Sequence, residues 1–106
     1  MFVIAGVDGT GDYNDAEYAR SFRNSYVKQF CSKVIAPNSA SYRRGPTAEG
    51  GATGGLGEAA AEHVAAYVNS AQKKGARAGV FLTGFSRGGA AVIHAAKILN
   101  RRKIMV

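Results

Sequence analysis

The chain has one cysteine, two prolines and no tryptophan among its 106 residues. A lone Cys31 cannot form an internal disulfide, so packing must hold the fold together, and no metal site can rest on cysteine. Scarce proline beside fourteen clustered glycines excludes a collagen-like or proline-rich chain and assigns the glycines to particular turns. No apolar run approaches the roughly 18 residues of a membrane-spanning helix. Met1-Phe2-Val3-Ile4-Ala5 is too short for the core of an export signal, lacks a basic start and soon reaches Asp8. A cytoplasmic location without stable membrane insertion is the expectation. Acidic residues are also few: seven Asp and Glu against fourteen Lys and Arg give +7, which favours anionic partners without saying which.

What is present suits a globular protein. Apolar residues make up 46% of the chain and charged ones 20%, so a core is expected, and the length sets a ceiling of one domain. Phe2 to Val7 is a continuous apolar run closed by Asp8-Gly9-Thr10-Gly11, the pattern of a strand buried on both faces that ends in a tight turn. Tyr18, Phe22, Tyr26 and Phe30 recur every four residues, which predicts one amphipathic helix over 15–31 with a core-facing aromatic stripe, capped by Asp12, Asn14 or Asp15. Lys33 to Ala36 and Ala40 to Arg43 are short extended candidates. Six glycines between Gly45 and Gly57 predict a loop. Leu56, Ala60, Val64, Tyr67, Val68 and Ala71 then share a helical face that ends at Lys73-Lys74-Gly75. Ala78 to Thr83 predicts a second buried strand, and Ala90 to Leu99 a further helix. The order predicts an α/β class: a three-layer α/β/α sandwich on a mostly parallel sheet.

Between that second strand and the last helix lies Gly84-Phe85-Ser86-Arg87-Gly88, a GxSxG in the context that gives the pattern meaning. A sharp turn there would lift the serine oxygen off the sheet edge and demand small neighbours, which Gly84, Gly88, Gly89 and Ala90 supply. Ser86 is then a candidate nucleophile. The Arg87 N–H, at a helix start, is a candidate oxyanion donor, with a second expected from the glycine-rich turn at Gly9 or Thr10. The competing reading is an ordinary strand-to-helix turn in which Ser86 only caps the helix.

Three stretches together carry a resemblance: Val7-Asp8-Gly9-Thr10-Gly11 with Asn14, Tyr42-Arg43-Arg44-Gly45-Pro46-Thr47, and Phe81-Leu82-Thr83-Gly84-Phe85-Ser86-Arg87-Gly88. In this order they resemble the DUF2235 group of α/β-hydrolase-like domains, which includes phospholipase effectors of type VI secretion. The resemblance spans nearly the whole chain and departs at Gly89-Ala90, where the group often has Ala-Tyr. It implies a serine esterase, of lipase or phospholipase kind, acting on an ester or lipid substrate. Ser86 would be the nucleophile, an Asp and a His would come from later in the chain, and no cofactor is implied. It also leaves release by a specialised secretion system open.

The twenty residues after Ser86 contain neither Asp nor Glu, so a Ser, acid, His order cannot be completed downstream within this sequence. His94 falls eight residues after Ser86 on the same predicted helix, about 12 Å along its axis, and His63 belongs to the preceding helix. Both are expected to be structural. The expectation is an N-terminal portion of a longer hydrolase, with Lys103-Ile104-Met105-Val106 beginning the next strand, nearly inactive by itself. Asp8-Gly9-Thr10 is not a dehalogenase-type phosphatase motif, because Gly6 stands where that chemistry needs an aspartate. Gly55-Leu56-Gly57 lacks the preceding strand and the later acid of a dinucleotide loop. The pairs Arg43-Arg44 and Lys73-Lys74 and the run Arg101-Arg102-Lys103 are expected in separate places as solvated charge, so nucleic acid is not expected. The alternative function is a noncatalytic basic module for an anionic partner such as nucleic acid or anionic lipid.

Overall fold

A computed structural model describes residues 2–33, 39–47 and 54–106. The class is α/β, with strands β1 (Phe2–Val7), β2 (Ala40–Arg43) and β3 (Gly79–Gly84) and helices α1 (Asp15–Ser21), α2 (Tyr26–Ser32), α3 (Gly54–Lys73) and α4 (Arg87–Arg101). The sheet order is β2-β1-β3 and both pairings are parallel, with Val7 opposite Arg43 on one side and Gly84 on the other.

Alternation along β1 separates two helical layers. Val3, Ala5 and Val7 join Val64, Val68, Ala91, Ala95 and Leu99 in the core between the sheet and α3 with α4. Each of the valines and the leucine contributes about 1.5–3 kcal/mol by leaving water, and each alanine less. On the opposite face Gly6 lies under α2, where an added Cβ would stand 2.7 Å from both Cys31 Sγ and Val27 Cγ1. Phe2, Phe30 and Phe81 line an open groove of about 380 Å³ beside the β3 edge on this face. No described helix is long and apolar enough to cross a membrane.

Several expectations are corrected. The helix predicted over 15–31 is two helices, because Ser25 starts a new one by accepting the Lys28 N–H on its side chain. That break turns the aromatic stripe off the core: Tyr18 is buried, whereas Tyr26 is 79% and Phe30 54% exposed, and Val27 with Cys31 face the sheet instead. α3 begins at Gly54, inside the predicted glycine loop, and Gly57 is needed there because a Cβ would lie 2.7 Å from the Ala91 carbonyl oxygen. α4 begins at Arg87 rather than Ala90. Lys103 to Val106 form no strand; a backbone bond from the Ile104 N–H to the Leu99 carbonyl turns the chain back at the end of α4. The extended stretch expected at Lys33 to Ala36 lies outside the described residues except for Lys33, which caps α2.

Candidate active site

The chain leaves β1 toward α1 and α2, returns to β2, and runs through α3 to β3 on the far side of β1. The connections after β1 and β3 therefore depart to opposite faces of the sheet, opening a crevice at the carboxyl ends of two adjacent strands. Open α/β sheets bind ligands at such switch points. The Asp8–Gly11 turn and the Ser86 bend border this crevice.

Ser86 has φ 55° and ψ −122°, a conformation that costs a non-glycine residue about 1–3 kcal/mol. It is exposed, and its side chain makes no capping bond. The first turn of α4 is instead closed by the Gly88 N–H on the Phe85 carbonyl and the Gly89 N–H on that of Ser86, both at 2.9 Å. The simple-cap reading of Ser86 is thereby corrected. The bend is tied to β1 by the Phe85 N–H on the Val7 carbonyl at 3.2 Å. Gly88 is buried against β1, where a Cβ would stand 2.0 Å from the Val7 carbonyl oxygen, and one on Gly84 would meet the Gly88 carbonyl oxygen at 2.5 Å. Gly89 departs from expectation: its Cβ would meet nothing closer than 4.0 Å. Ala90 is exposed. Arg87 opens α4, and Phe85 is 61% exposed with its ring against Gly9.

The turn after β1 is held by residues whose part is not visible in the sequence. Asp8 is fully buried, and its Oδ2 accepts the Ser25 hydroxyl at 2.5 Å and the Tyr42 hydroxyl at 2.6 Å. Burial, then the bond to Asp8, pushes the Tyr42 phenol well above its ordinary range. Burial, then the Asp8 charge, pushes the Cys31 thiol from 9.0 to about 11. Tyr18 donates its hydroxyl proton to the Gly9 carbonyl at 2.7 Å and accepts the Gly45 N–H at 2.6 Å. The Arg44 guanidinium lies 4.0 Å from the Tyr18 ring centroid and donates to Asp15 at 2.7 Å and to the Asp12 carbonyl.

Among the described residues, the Gly9 and Thr10 N–H groups donate to no protein acceptor. The two buried side-chain oxygens without a hydrogen-bond partner among the described residues, Asp8 Oδ1 and Thr10 Oγ1, both belong to this turn. Unsatisfied polar groups concentrated in one turn are a feature of functional sites. His94 packs on Gly57 of α3, and among the described residues no hydrogen bond joins either histidine to the Ser86 side chain. Among the described residues no group of three or more His, Cys, Asp or Glu could hold a metal ion.

No family model matches the chain, and neither does any curated protein or solved structure.

Proposed function

We propose that the protein is a serine hydrolase of carboxylic esters, of the lipase or phospholipase kind that the resemblance to DUF2235 implies. One observation carries the reading: Ser86 holds a strained backbone at an exposed strand-to-helix bend while its hydroxyl serves no cap. In the reaction, Ser86 Oγ bonds to the acyl carbon as its proton passes to a base. The carbonyl oxygen becomes an oxyanion facing the Arg87 N–H at the start of α4 and the N–H groups of Gly9 and Thr10. Collapse expels the alcohol, which takes the proton, and water then releases the acid from the serine. The base and its orienting acid are required from segments other than those described.

The test is modification of the full protein by an alkyl fluorophosphonate, with the modified peptide mapped. Labelling at Ser86 that disappears in Ser86→Ala supports the esterase, and no labelling of the folded wild type overturns it.

A specific observation favours a second reading, a basic module for an anionic partner. Two basic side chains, Arg77 and Lys103, line one cavity near the ends of α3 and α4, and Lys73, Lys74 and Arg101 at those helix ends are exposed. Arg44 and Arg102 are engaged with Asp15 and Glu62. Salt-sensitive polyanion binding by an unlabelled protein would favour this module.

A further inference from the structure

A serine esterase needs its oxyanion donors aimed before the substrate arrives, and the turn after β1 contains a device that would do so. Gly9 C=O and Thr10 N–H belong to one planar trans peptide, so they point in opposite directions. The Tyr18 hydroxyl has a single proton, and that proton is committed to the Gly9 carbonyl at 2.7 Å while an oxygen lone pair takes the Gly45 N–H at 2.6 Å. The carbonyl is thus held toward Tyr18 and Gly45, and the Thr10 N–H is turned to the other side. Gly45 is fitted to this arrangement, since a Cβ on it would stand 2.1 Å from the Gly9 carbonyl oxygen. The turn also meets the bend: a Cβ built on Gly9 would stand 2.9 Å from the Phe85 ring, and the Asp8 carbonyl oxygen is approached by both Gly45 and Gly88, 2.2 and 2.4 Å from a Cβ built on each. If the peptide flipped, it would present a carbonyl oxygen where an anion must form.

We propose that Tyr18 is a positioning residue that locks the Gly9–Thr10 peptide with its N–H toward Ser86. This rests on the esterase reading of Ser86. The ring is itself fixed, stacked on Phe22 with centroids 4.3 Å apart and lying against the Arg44 guanidinium. Burial raises the Tyr18 phenol pKa, which keeps the donated proton in place through the neutral range.

Tyr18→Phe removes the hydroxyl and keeps the ring contacts. With the fluorophosphonate as probe, the maximal rate of Ser86 modification should fall roughly tenfold to a hundredfold, the order expected for a weakened oxyanion donor, at an unchanged half-saturating concentration. Equal maximal rates in wild type and Y18F overturn the lock and leave Ser86 standing as nucleophile. Absence of wild-type labelling overturns the esterase and the lock together. A measurement on the wild type covers the case in which Y18F does not fold: hydrogen exchange of the Thr10 amide before and after phosphonylation. The amide should become protected when the phosphonyl oxygen accepts its proton, and unchanged exchange overturns the proposal.

Discussion

At the scale of single residues, two neighbouring glycines at the bend play different parts. A methyl on Gly88 would sit 2.0 Å from the Val7 carbonyl oxygen and 2.4 Å from that of Asp8. Both atoms are backbone at the end of the central strand, so α4 would have to lift away. Gly88→Ala is therefore expected to cost about 3 kcal/mol or more, at the upper end of overpacking effects. A Cβ on Gly89 would meet nothing closer than the Gly84 carbonyl oxygen at 4.0 Å, and alanine is favoured over glycine in a helix by about 0.5–1 kcal/mol, so Gly89→Ala should be neutral or stabilising. Urea unfolding midpoints of the two variants check this, and similar losses in both would refute it. The need for a small residue at Gly88 was legible because GxSxG between strand and helix implies a close backbone approach. The partners of Asp8 were not legible, since Ser25 and Tyr42 reach it across separations of 17 and 34 residues with no local pattern to mark them.

At the scale of elements, the strands were legible and the helix boundaries were less so. Continuous apolar runs placed β1 and β3 within a residue of their bounds, and Ala40 to Arg43 is β2 as expected, but β3 is not the fully buried strand its apolar run implied: it lies at the sheet edge with only Val80 buried and Phe81 57% exposed. The break before α2 escaped because four-residue aromatic spacing mimics an uninterrupted helix, whereas α1 ends at Ser21 with Phe22 as its C-cap and Ser25 caps the start of α2. That serine has two tasks: it accepts the Lys28 N–H at 3.0 Å and donates to Asp8. The Asn14 side chain caps α1 through the Ala16 and Glu17 N–H groups and makes no bond to a core side chain. Loss of a cap alone costs about 1 kcal/mol, and loss of a hydrogen bond to a buried carboxylate adds about 1.5–3 kcal/mol. Ser25→Ala should thus be destabilised by about 2–4 kcal/mol and Asn14→Ala by about 1 kcal/mol, as measured by urea unfolding. Equal losses would mean that the Ser25–Asp8 bond contributes nothing to holding α2 against the site.

At the scale of the whole molecule, alkaline pH should loosen the fold in a window that isolates one buried group. Cys31, only 5% exposed and packed over Gly6, has its thiol raised from 9.0 to about 11, so the folded state holds a proton that the unfolded chain releases. Its contribution is complete below about pH 9 and is lost as pH rises toward 11. The size is on the order of 1–3 kcal/mol. Tyr18 and Tyr42 are raised in the same sense from 10.0, so their contributions are lost only above that value. Between about pH 9 and 10, then, the thiol should dominate the slope of stability against pH. Urea unfolding under reducing conditions should show wild-type stability declining across that interval and Cys31→Ala declining distinctly less, whatever the absolute cost of the substitution. Parallel slopes in the two proteins would show that burial of Cys31 does not control the alkaline limit, and that the interface between α2 and the sheet is wetter than its packing over Gly6 implies.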